Sequence, residues 1–265
     1  MVFDIIVAIY NVNIHKVPVI KSMINKENIN LILCDNSTVY EIINKNKEAI
    51  QDLKEKTNVN INYISMNGNA GLSHAYNEGL SFAKGDVVCI FDDDTLPSDT
   101  FLIEMQKAIR ANGKGIYLPY IYSNDILLSP LKSVGPAIIR CKDPAQVKMN
   151  HLYAFNTGMT ITRDIFSKLR FDDRLFVDNV DHAFCRDAHK QDLNFHIVPA
   201  VKLQQNYSVE TDDKDKAIIR FKTRKNDIHI YYNNSLINRV YANGYLFYRA
   251  LRSAIKYKTS EFFKV

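Results

Sequence analysis

Three consecutive aspartates, Asp92-Asp93-Asp94, follow an apolar run that ends at Phe91. Adjacent carboxylates repel one another unless a cation or sugar hydroxyls compensate them. On an extended chain alternate residues share a face, so Asp92 and Asp94 point one way and Asp93 the other. Two hard oxygen ligands of this kind suit Mg2+ or Mn2+, with phosphate oxygens and water completing the shell. The same acids also suit a solvated turn that caps a helix over residues 98–110. A second segment, Asn67-Gly68-Asn69-Ala70-Gly71-Leu72-Ser73-His74-Ala75-Tyr76-Asn77-Glu78-Gly79, combines glycines with the start of a helix. The glycines permit tight turning and close approach to a ligand, and the helix supplies free N–H groups. The segment matches neither GxGxxG nor GxxxxGK[ST], so neither a dinucleotide site nor a simple nucleoside-triphosphate site follows. By itself it describes a turn and a cap.

Both segments sit at the ends of expected strands. The run Phe3-Asp4-Ile5-Ile6-Val7-Ala8-Ile9 is short, β-branched and ends at Tyr10-Asn11, as a buried strand does. Residues 30–35 form a similar run that stops at Asn36-Ser37, and further strands are expected over 60–65 and 86–91. Helices are expected over 17–24, 40–56 and 72–83, the second capped by Ser37-Thr38. This alternation predicts an α/β fold with a mostly parallel central sheet and flanking helices. Ligands bind such sheets beyond the carboxyl ends of the strands. Four polar clusters lie at those ends: Tyr10-Asn11, Asp35-Asn36-Ser37, 67–71 and Asp92-Asp93-Asp94. The second half is less regular. Strands are expected over 115–119, 134–140 and 195–199, a helix over 163–169, and a loop entering a helix over 176–190. Residues 210–215 are acidic and suit a mobile loop.

The bulk properties bound the class. The chain has 265 residues, 46% hydrophobic and 24% charged, a balance ordinary for a soluble globular protein. Cys34, Cys89, Cys141 and Cys185 show no CxxC spacing and are expected as reduced, small hydrophobic residues. The apolar runs are too short to cross a bilayer, and an N-terminus with Asp4 in its first apolar run and no basic leader does not resemble a secretory signal. These features predict a cytoplasmic protein. Between Asn238 and Val265 there are six basic residues and one acid, which accounts for the whole net charge of +5. Basic residues gathered in a tail, rather than spread through the domain, speak against a nucleic-acid partner. Residues 236–255 form an amphipathic helix weakened by Asn243-Gly244, with Phe247, Leu251 and Ile255 on one side and Arg249, Arg252 and Lys256 on an adjoining one. Two placements suit it: packed on the domain, or lying on an anionic membrane surface.

Together these segments resemble the family 2 glycosyltransferases, inverting enzymes with the GT-A fold, over about residues 3–205. The resemblance is carried by Ala8-Ile9-Tyr10-Asn11, Asp35-Asn36-Ser37, the Asn69–Gly79 run and Asp92-Asp93-Asp94, in that order. Further on, Asn156-Thr157-Gly158-Met159 is similar to the acceptor-side segment, and Phe176-Val177-Asp178-Asn179-Val180-Asp181-His182-Ala183-Phe184-Cys185-Arg186 to the stretch that carries the catalytic base. The nearest branch is the rhamnosyltransferase-like enzymes of bacterial surface-polysaccharide synthesis. The implied layout is a GT-A domain over residues 1–208 and a basic helical extension over 209–265.

The resemblance implies a role for each matching residue. Asp35 meets the nucleobase of a UDP- or dTDP-sugar, with Ala8 and Asn11 lining its pocket. Asn69 and Asn77 support the nucleotide, Asp92 binds ribose with Asp93 nearby, and Asp94 binds Mn2+ or Mg2+. Thr157 and Gly158 lie on the acceptor side, where Asp181 is the base, Asp178 its rival, and Arg186 holds the loop or a phosphate. The acceptor is a glycan, lipid-linked in surface-polysaccharide assembly. One departure stands out: family members often carry a histidine after the last core strand, and here Val201–Tyr207 has none, with Gln205 in its place. Two rivals frame the expectation. A DxDxT phosphatase requires Thr or a small residue where Leu96 stands and a first-strand position. A non-catalytic carbohydrate- or nucleotide-binding protein would not need Asp92, Asp94 and Asp181 together.

Overall fold

The computed structural model describes residues 1–205 and 213–265. Strand β1 (Phe3–Ile9) is buried at all seven positions, which is why its sequence is continuously apolar rather than alternating. Its one acid, Asp4, accepts bonds from the Gly85 N–H at 2.6 Å and the Asn30 amide at 2.7 Å. Helix α1 (Pro18–Met23), β2 (Ile29–Asp35), α2 (Tyr40–Lys56), β3 (Asn60–Ser65), α3 (Leu72–Phe82) and β4 (Val87–Asp92) follow. Strand β1 pairs in parallel with β2 on one side and β4 on the other, and β3 extends the sheet beyond β2. The strand order therefore reverses between β1 and β4. At such a point the connections leave in opposite directions and a crevice opens beyond the strand ends.

The chain continues through β5 (Thr95–Leu96), α4 (Phe101–Asn112), β6 (Ile116–Ser123), β7 (Ile126–Ser129), β8 (Leu131–Val134), β9 (Ala137–Arg140), β10 (Leu152–Tyr153), β11 (Thr160–Thr162), α5 (Val180–His189), β12 (Phe195–Gln205), α6 (Lys214–Tyr231) and α7 (Leu236–Tyr257). The main sheet runs β3-β2-β1-β4-β11-β6-β12-β5, with β7 paired to β6, and β10-β8-β9 form a small second sheet. Strand β11 is antiparallel to both β4 and β6, whereas β6 and β12 are parallel. One core, which includes Ile20, Ile50 and Phe101, packs α1, α2 and α4 on one sheet face. The other face carries α3, α5, α6 and α7, with Tyr76, Phe184, Phe221 and Leu246 in a single cluster.

Several local expectations are corrected. Residues 134–140 are not one strand but the second half of a hairpin, β8 and β9, that turns at Gly135-Pro136. The helix expected over 163–169 is a 3-10 turn at Arg163–Ser167. Strand β12 runs on to Gln205, because a register shift between Val198 and Lys202 accommodates Pro199, which has no donor for a ladder bond. Helix α2 has no side-chain cap; Ser37 and Thr38 bond Asn11 instead. Helix α4 begins only at Phe101 without a side-chain cap, so the acids at 92–94 do not serve it. Helix α6 (Lys214–Tyr231) lies within the helical extension expected over 209–265, although no apolar periodicity marked its bounds. Of the acidic stretch 210–215, residues 210–212 lie outside the described residues, Asp213 caps α6 through a bond from the Lys216 N–H, and 214–215 are its first turn.

Helix α3 lies close on the sheet at Gly79, where a Cβ would stand 2.8 Å from Ile6 Cγ2 and 3.0 Å from Cys34 Sγ. Alanine there gains up to about 1 kcal/mol of helix propensity against roughly 1–3 kcal/mol of overpacking. Gly79→Ala is expected to lower the urea midpoint, with a net loss of about 1 kcal/mol; an unchanged or higher midpoint would show that the close approach carries no constraint.

Candidate functional site

The crevice at the β1/β4 switch point is lined by the polar clusters of the strand ends. At the β2 end, Asp35 is buried with both oxygens occupied. Oδ1 accepts the Ser37 N–H at 2.9 Å, and Oδ2 accepts the Asn46 amide at 2.9 Å and the Tyr63 hydroxyl at 2.7 Å. At the β1 end Asn11 takes a left-handed turn (φ 52°). Its Oδ1 accepts the Thr38 N–H at 2.9 Å and the Val39 N–H at 3.1 Å, and its own N–H donates to Ser37 Oγ at 2.8 Å. Ala8 lies in register with Cys34 on one side and Asp92 on the other. These three residues thus form one wall, and Asn11 and Asp35 are tied into it rather than projecting freely.

The three aspartates do not alternate on an extended strand. Asp92 ends β4, and Asp93 and Asp94 make the turn into β5. Each is held by a different element. Asp92 Oδ1 accepts the Tyr76 hydroxyl of α3 at 2.9 Å, and Asp93 Oδ2 accepts the Tyr10 N–H after β1 at 2.9 Å. Asp94 accepts from Thr95 Oγ1 at 3.3 Å and from the side chain of Gln205 at the end of β12. Burial and then the Asp94 charge push Asp92 up to about 7, and Asp93 and Asp181 add to the rise against the Tyr76 bond. Burial pushes Asp93 up to about 6 despite the Tyr10 bond, and burial also raises Asp94. The Asp181 charge, from more than eighty residues along the chain, is near enough to Asp92 to add the smallest of these contributions.

Thr157 and Gly158 support that cluster from behind. Thr157 is buried, its hydroxyl 2.8 Å from Thr95 Oγ1 and 3.3 Å from the Asp92 N–H. Gly158 has φ 73° and donates to the Ile90 carbonyl at 2.7 Å. Asp181 stands in the first turn of α5 and accepts the His182 N–H at 2.7 Å. Asp178 precedes the helix, with Oδ1 paired to Arg224 Nε at 3.1 Å and Oδ2 buried without a partner.

Asn77 and Arg186 are committed to partners outside the strand-end clusters, and Asn69 to a local turn. Asn69 Oδ1 closes a local turn with the Gly71 N–H at 3.1 Å. Asn77 spans to the 171–173 segment, donating to the Phe171 carbonyl and Asp173 at 2.8 Å and accepting the Phe171 N–H at 3.1 Å. Arg186 pairs with Asp187 at 2.9 Å, donates to the Tyr231 carbonyl at 3.2 Å and lies over the Tyr231 ring. It joins α5 to α6 instead of reaching the crevice. Tyr76 and Asp227 were missed. Tyr76 lies inside the quoted loop–helix segment, but nothing local signals that its hydroxyl meets Asp92. Asp227 had a signal, as the lone acid after Asp215 in a helix carrying Arg220, Lys222, Arg224 and Lys225.

Among the described residues no group of three or more His, Cys, Asp or Glu side chains is arranged to hold a metal ion. A cation at Asp94 would need ligands from elsewhere, and the Gln205 Oε1 atom, buried without a partner, is one available oxygen. No helix among those residues is long and apolar enough to cross a membrane.

Comparison with known proteins places this arrangement. Residues 4–170 match the family model described as glycosyl transferase family 2. The chain is 19% identical over 206 residues to the dTDP-rhamnosyl transferase RfbF of Shigella flexneri, covering 75% of this chain and 67% of that one. It is 26% identical to the minor teichoic acid biosynthesis protein GgaB of Bacillus subtilis (strain 168), covering 89% of this chain but only 25% of GgaB. In three dimensions it is similar to residues 1–349 of S. aureus TarS in complex with UDP, with a TM-score of 0.59 at 13% identity over 91% of this chain and 68% of TarS. GalNAc-T7 with UDP, GalNAc and Mn2+ superposes at a TM-score of 0.62 and 13% identity, covering 87% of this chain and 47% of that one. The sheet and its helices have the GT-A arrangement. The family model spans well over half of the sequence, and the chain belongs to glycosyl transferase family 2.

Proposed function

We propose that this glycosyltransferase moves a sugar, with inversion, from a UDP- or dTDP-sugar to a glycan acceptor in cell-surface polysaccharide synthesis. The observation that carries the reading is the gathering of Asp92, Asp93 and Asp94 at the β1/β4 switch point, held by Tyr76, by the Tyr10 N–H and by Thr95, with the Asp181 charge adding the smallest contribution to the Asp92 rise. In this reading the wall of Ala8, Asn11 and Asp35 receives the base, and Asp92 and Asp93 receive the ribose. Asp94 and Gln205 would hold Mn2+ or Mg2+, which when bound neutralises charge on the departing diphosphate. Such a cation suits carboxylates whose mutual repulsion is otherwise relieved by protons. The Asp181 carboxylate takes the acceptor hydroxyl proton while the new C–O bond forms and the bond to phosphate breaks. One base suffices for a single displacement. GgaB and RfbF, named for teichoic acid biosynthesis and rhamnosyl transfer, support the polymer setting.

Helix α7 supports a peripheral place at the inner membrane face, where a lipid-linked acceptor is met. Its buried residues are Ala242, Leu246 and Ala250, while Leu236, Ile237, Val240, Phe247, Tyr248, Leu251 and Ile255 are exposed on one stripe about 120° wide at 100° per residue. The side bearing Phe247, Leu251 and Ile255 is thus turned away from the core, with exposed Arg252 and Lys256 beside it. Apolar residues flanked by cations suit an anionic lipid surface.

Three outcomes test the reading. Incubation with a panel of UDP- and dTDP-sugars should release one nucleoside diphosphate in a reaction blocked by EDTA. Asp94→Ala and Asp181→Asn should each lower turnover by about 100-fold or more; no release with any donor, and no thermal shift with any nucleotide, would favour a binding protein. The pH dependence of stability has a defined sign. Asp92 and Asp93, raised to about 7 and 6, hold protons when folded that the unfolded chain releases from about pH 4, so stability falls as pH rises through that window. Asp92→Asn should therefore raise the melting temperature at pH 8, by about 2 kcal/mol or roughly 4–8 °C, and leave it unchanged at pH 4; equal shifts at both would refute the assignment. Phosphatidylglycerol vesicles should sediment the protein more than phosphatidylcholine vesicles do. Phe247→Glu with Ile255→Glu should abolish that difference without slowing donor turnover, and equal sedimentation with both lipids counts against the membrane placement.

A further inference from the structure

Helix α6 lies beyond the residues that match the family model, yet it reaches the acceptor side of the crevice. Asp227 is only 1% exposed, and its carboxylate accepts three successive backbone N–H groups. Phe176 donates to Oδ1 at 2.9 Å, and Val177 and Asp178 both donate to Oδ2 at 2.8 Å. One turn earlier, Arg224 Nε donates to Asp178 Oδ1 at 3.1 Å. The opposite side of the same segment is pinned by α3. The Phe176 carbonyl accepts the Leu72 N–H at 2.6 Å. Gly71, at φ 88°, has no room for a side chain, because a Cβ would stand 2.7 Å from that carbonyl oxygen.

Residues 176–178 are therefore fixed between the start of α3 and a buried carboxylate on α6. Asn179 then turns through φ 62°, and α5 starts at Val180 with Asp181 in its first turn. A neutral or apolar side chain would fill the space at 227 without the cost of burying a charge. An acid is useful there because three consecutive amide donors converge, and charge-assisted bonds to them are short and directional.

We infer that Asp227 is a positioning residue for sugar transfer, holding the 176–178 segment so that α5, which starts just beyond it, presents Asp181 toward the aspartate cluster at the end of β4. The inference rests on the proposed role of Asp181 as the acceptor-side base. Asp227 does not itself reach the reacting atoms, since both of its oxygens are occupied by the segment it holds. A displacement of about 1 Å at a reacting group costs on the order of 100-fold in rate, so loss of this clamp is read in turnover and not in donor affinity.

The test compares Asp227→Asn with Asp181→Asn. The asparagine keeps the shape but turns an NH2 group toward the backbone amides. Asp227→Asn should lower kcat by about 100-fold, keep donor KM and the thermal shift with UDP or dTDP within twofold, and speed hydrogen exchange at the 176–178 amides. Asp181→Asn should lose turnover with exchange at 176–178 unchanged. Retained turnover in Asp181→Asn overturns the base assignment alone; retained turnover in Asp227→Asn with faster exchange overturns the positioning role alone. Parallel loss of kcat, nucleotide binding and melting temperature in Asp227→Asn would mark a general structural role and overturn the inference as well. Should that variant not fold, Asp227→Glu keeps the charge but moves the carboxylate by one methylene relative to the three amides. It should cost about 10-fold in kcat with unchanged UDP or dTDP binding, and an unchanged kcat with faster exchange at 176–178 overturns the inference.

Discussion

Three carboxylates crowded at the end of β4 set the terms for the rest of the molecule. Their burial and mutual repulsion oppose ionisation, with Asp92 raised to about 7 and Asp93 to about 6. Such a cluster persists only if the surroundings over-determine it. Here each acid is anchored by a different element: Asp92 by Tyr76 of α3, Asp93 by the backbone after β1, Asp94 by Thr95 and by Gln205 of β12. The two cores on either face of the sheet supply the stability that this electrostatic cost draws down.

Much of the polar chemistry in the conspicuous segments holds the site together instead of lining it. Asn11, Ser37 and Thr38 tie the end of β1 to the loop after β2. Asn77 stitches α3 to the 171–173 segment, and Thr157 braces the turn between β4 and β5. These bonds bring the strand ends to fixed separations, which a ligand spanning base, ribose and phosphates requires.

The C-terminal helices are part of this frame. Phe221, Ile228, Tyr231 and Tyr232 of α6 and Ala242, Leu246 and Ala250 of α7 belong to the same cluster as Tyr76, Phe184 and Phe195. Arg186 and Asp227 link α5 and its preceding segment to α6. The face of α7 that completes the core carries Ala242, Leu246 and Ala250 with Tyr241, Tyr245 and Tyr257 packed against the same cluster, whereas Leu236, Ile237, Val240, Phe247, Tyr248, Leu251 and Ile255 are exposed. Core packing therefore occupies one face of α7 and leaves the stripe for another contact.

The sequence determined the first half almost to the residue. Helix α2 at Tyr40–Lys56 and β3 at Asn60–Ser65 have the expected bounds, because apolar periodicity and strand-end polar residues are local signals. It also marked the four strand-end clusters and the two aspartate regions at 92–94 and 178–181. The hairpin at β8 and β9, the long β12 and the bounds and docking of α6 within the helical extension were not legible, since β12 and α6 are fixed by partners distant in the chain: β6 for β12, and the common core for α6. Only the tertiary structure decided which polar side chains are committed to distant backbone groups. Asn77 and Asp227 meet groups 94 and about 50 residues away, and periodicity within one element carries no record of what lies opposite it. The side of α7 turned to the core was settled the same way, because residue type alone defines an apolar stripe but not the surface it meets.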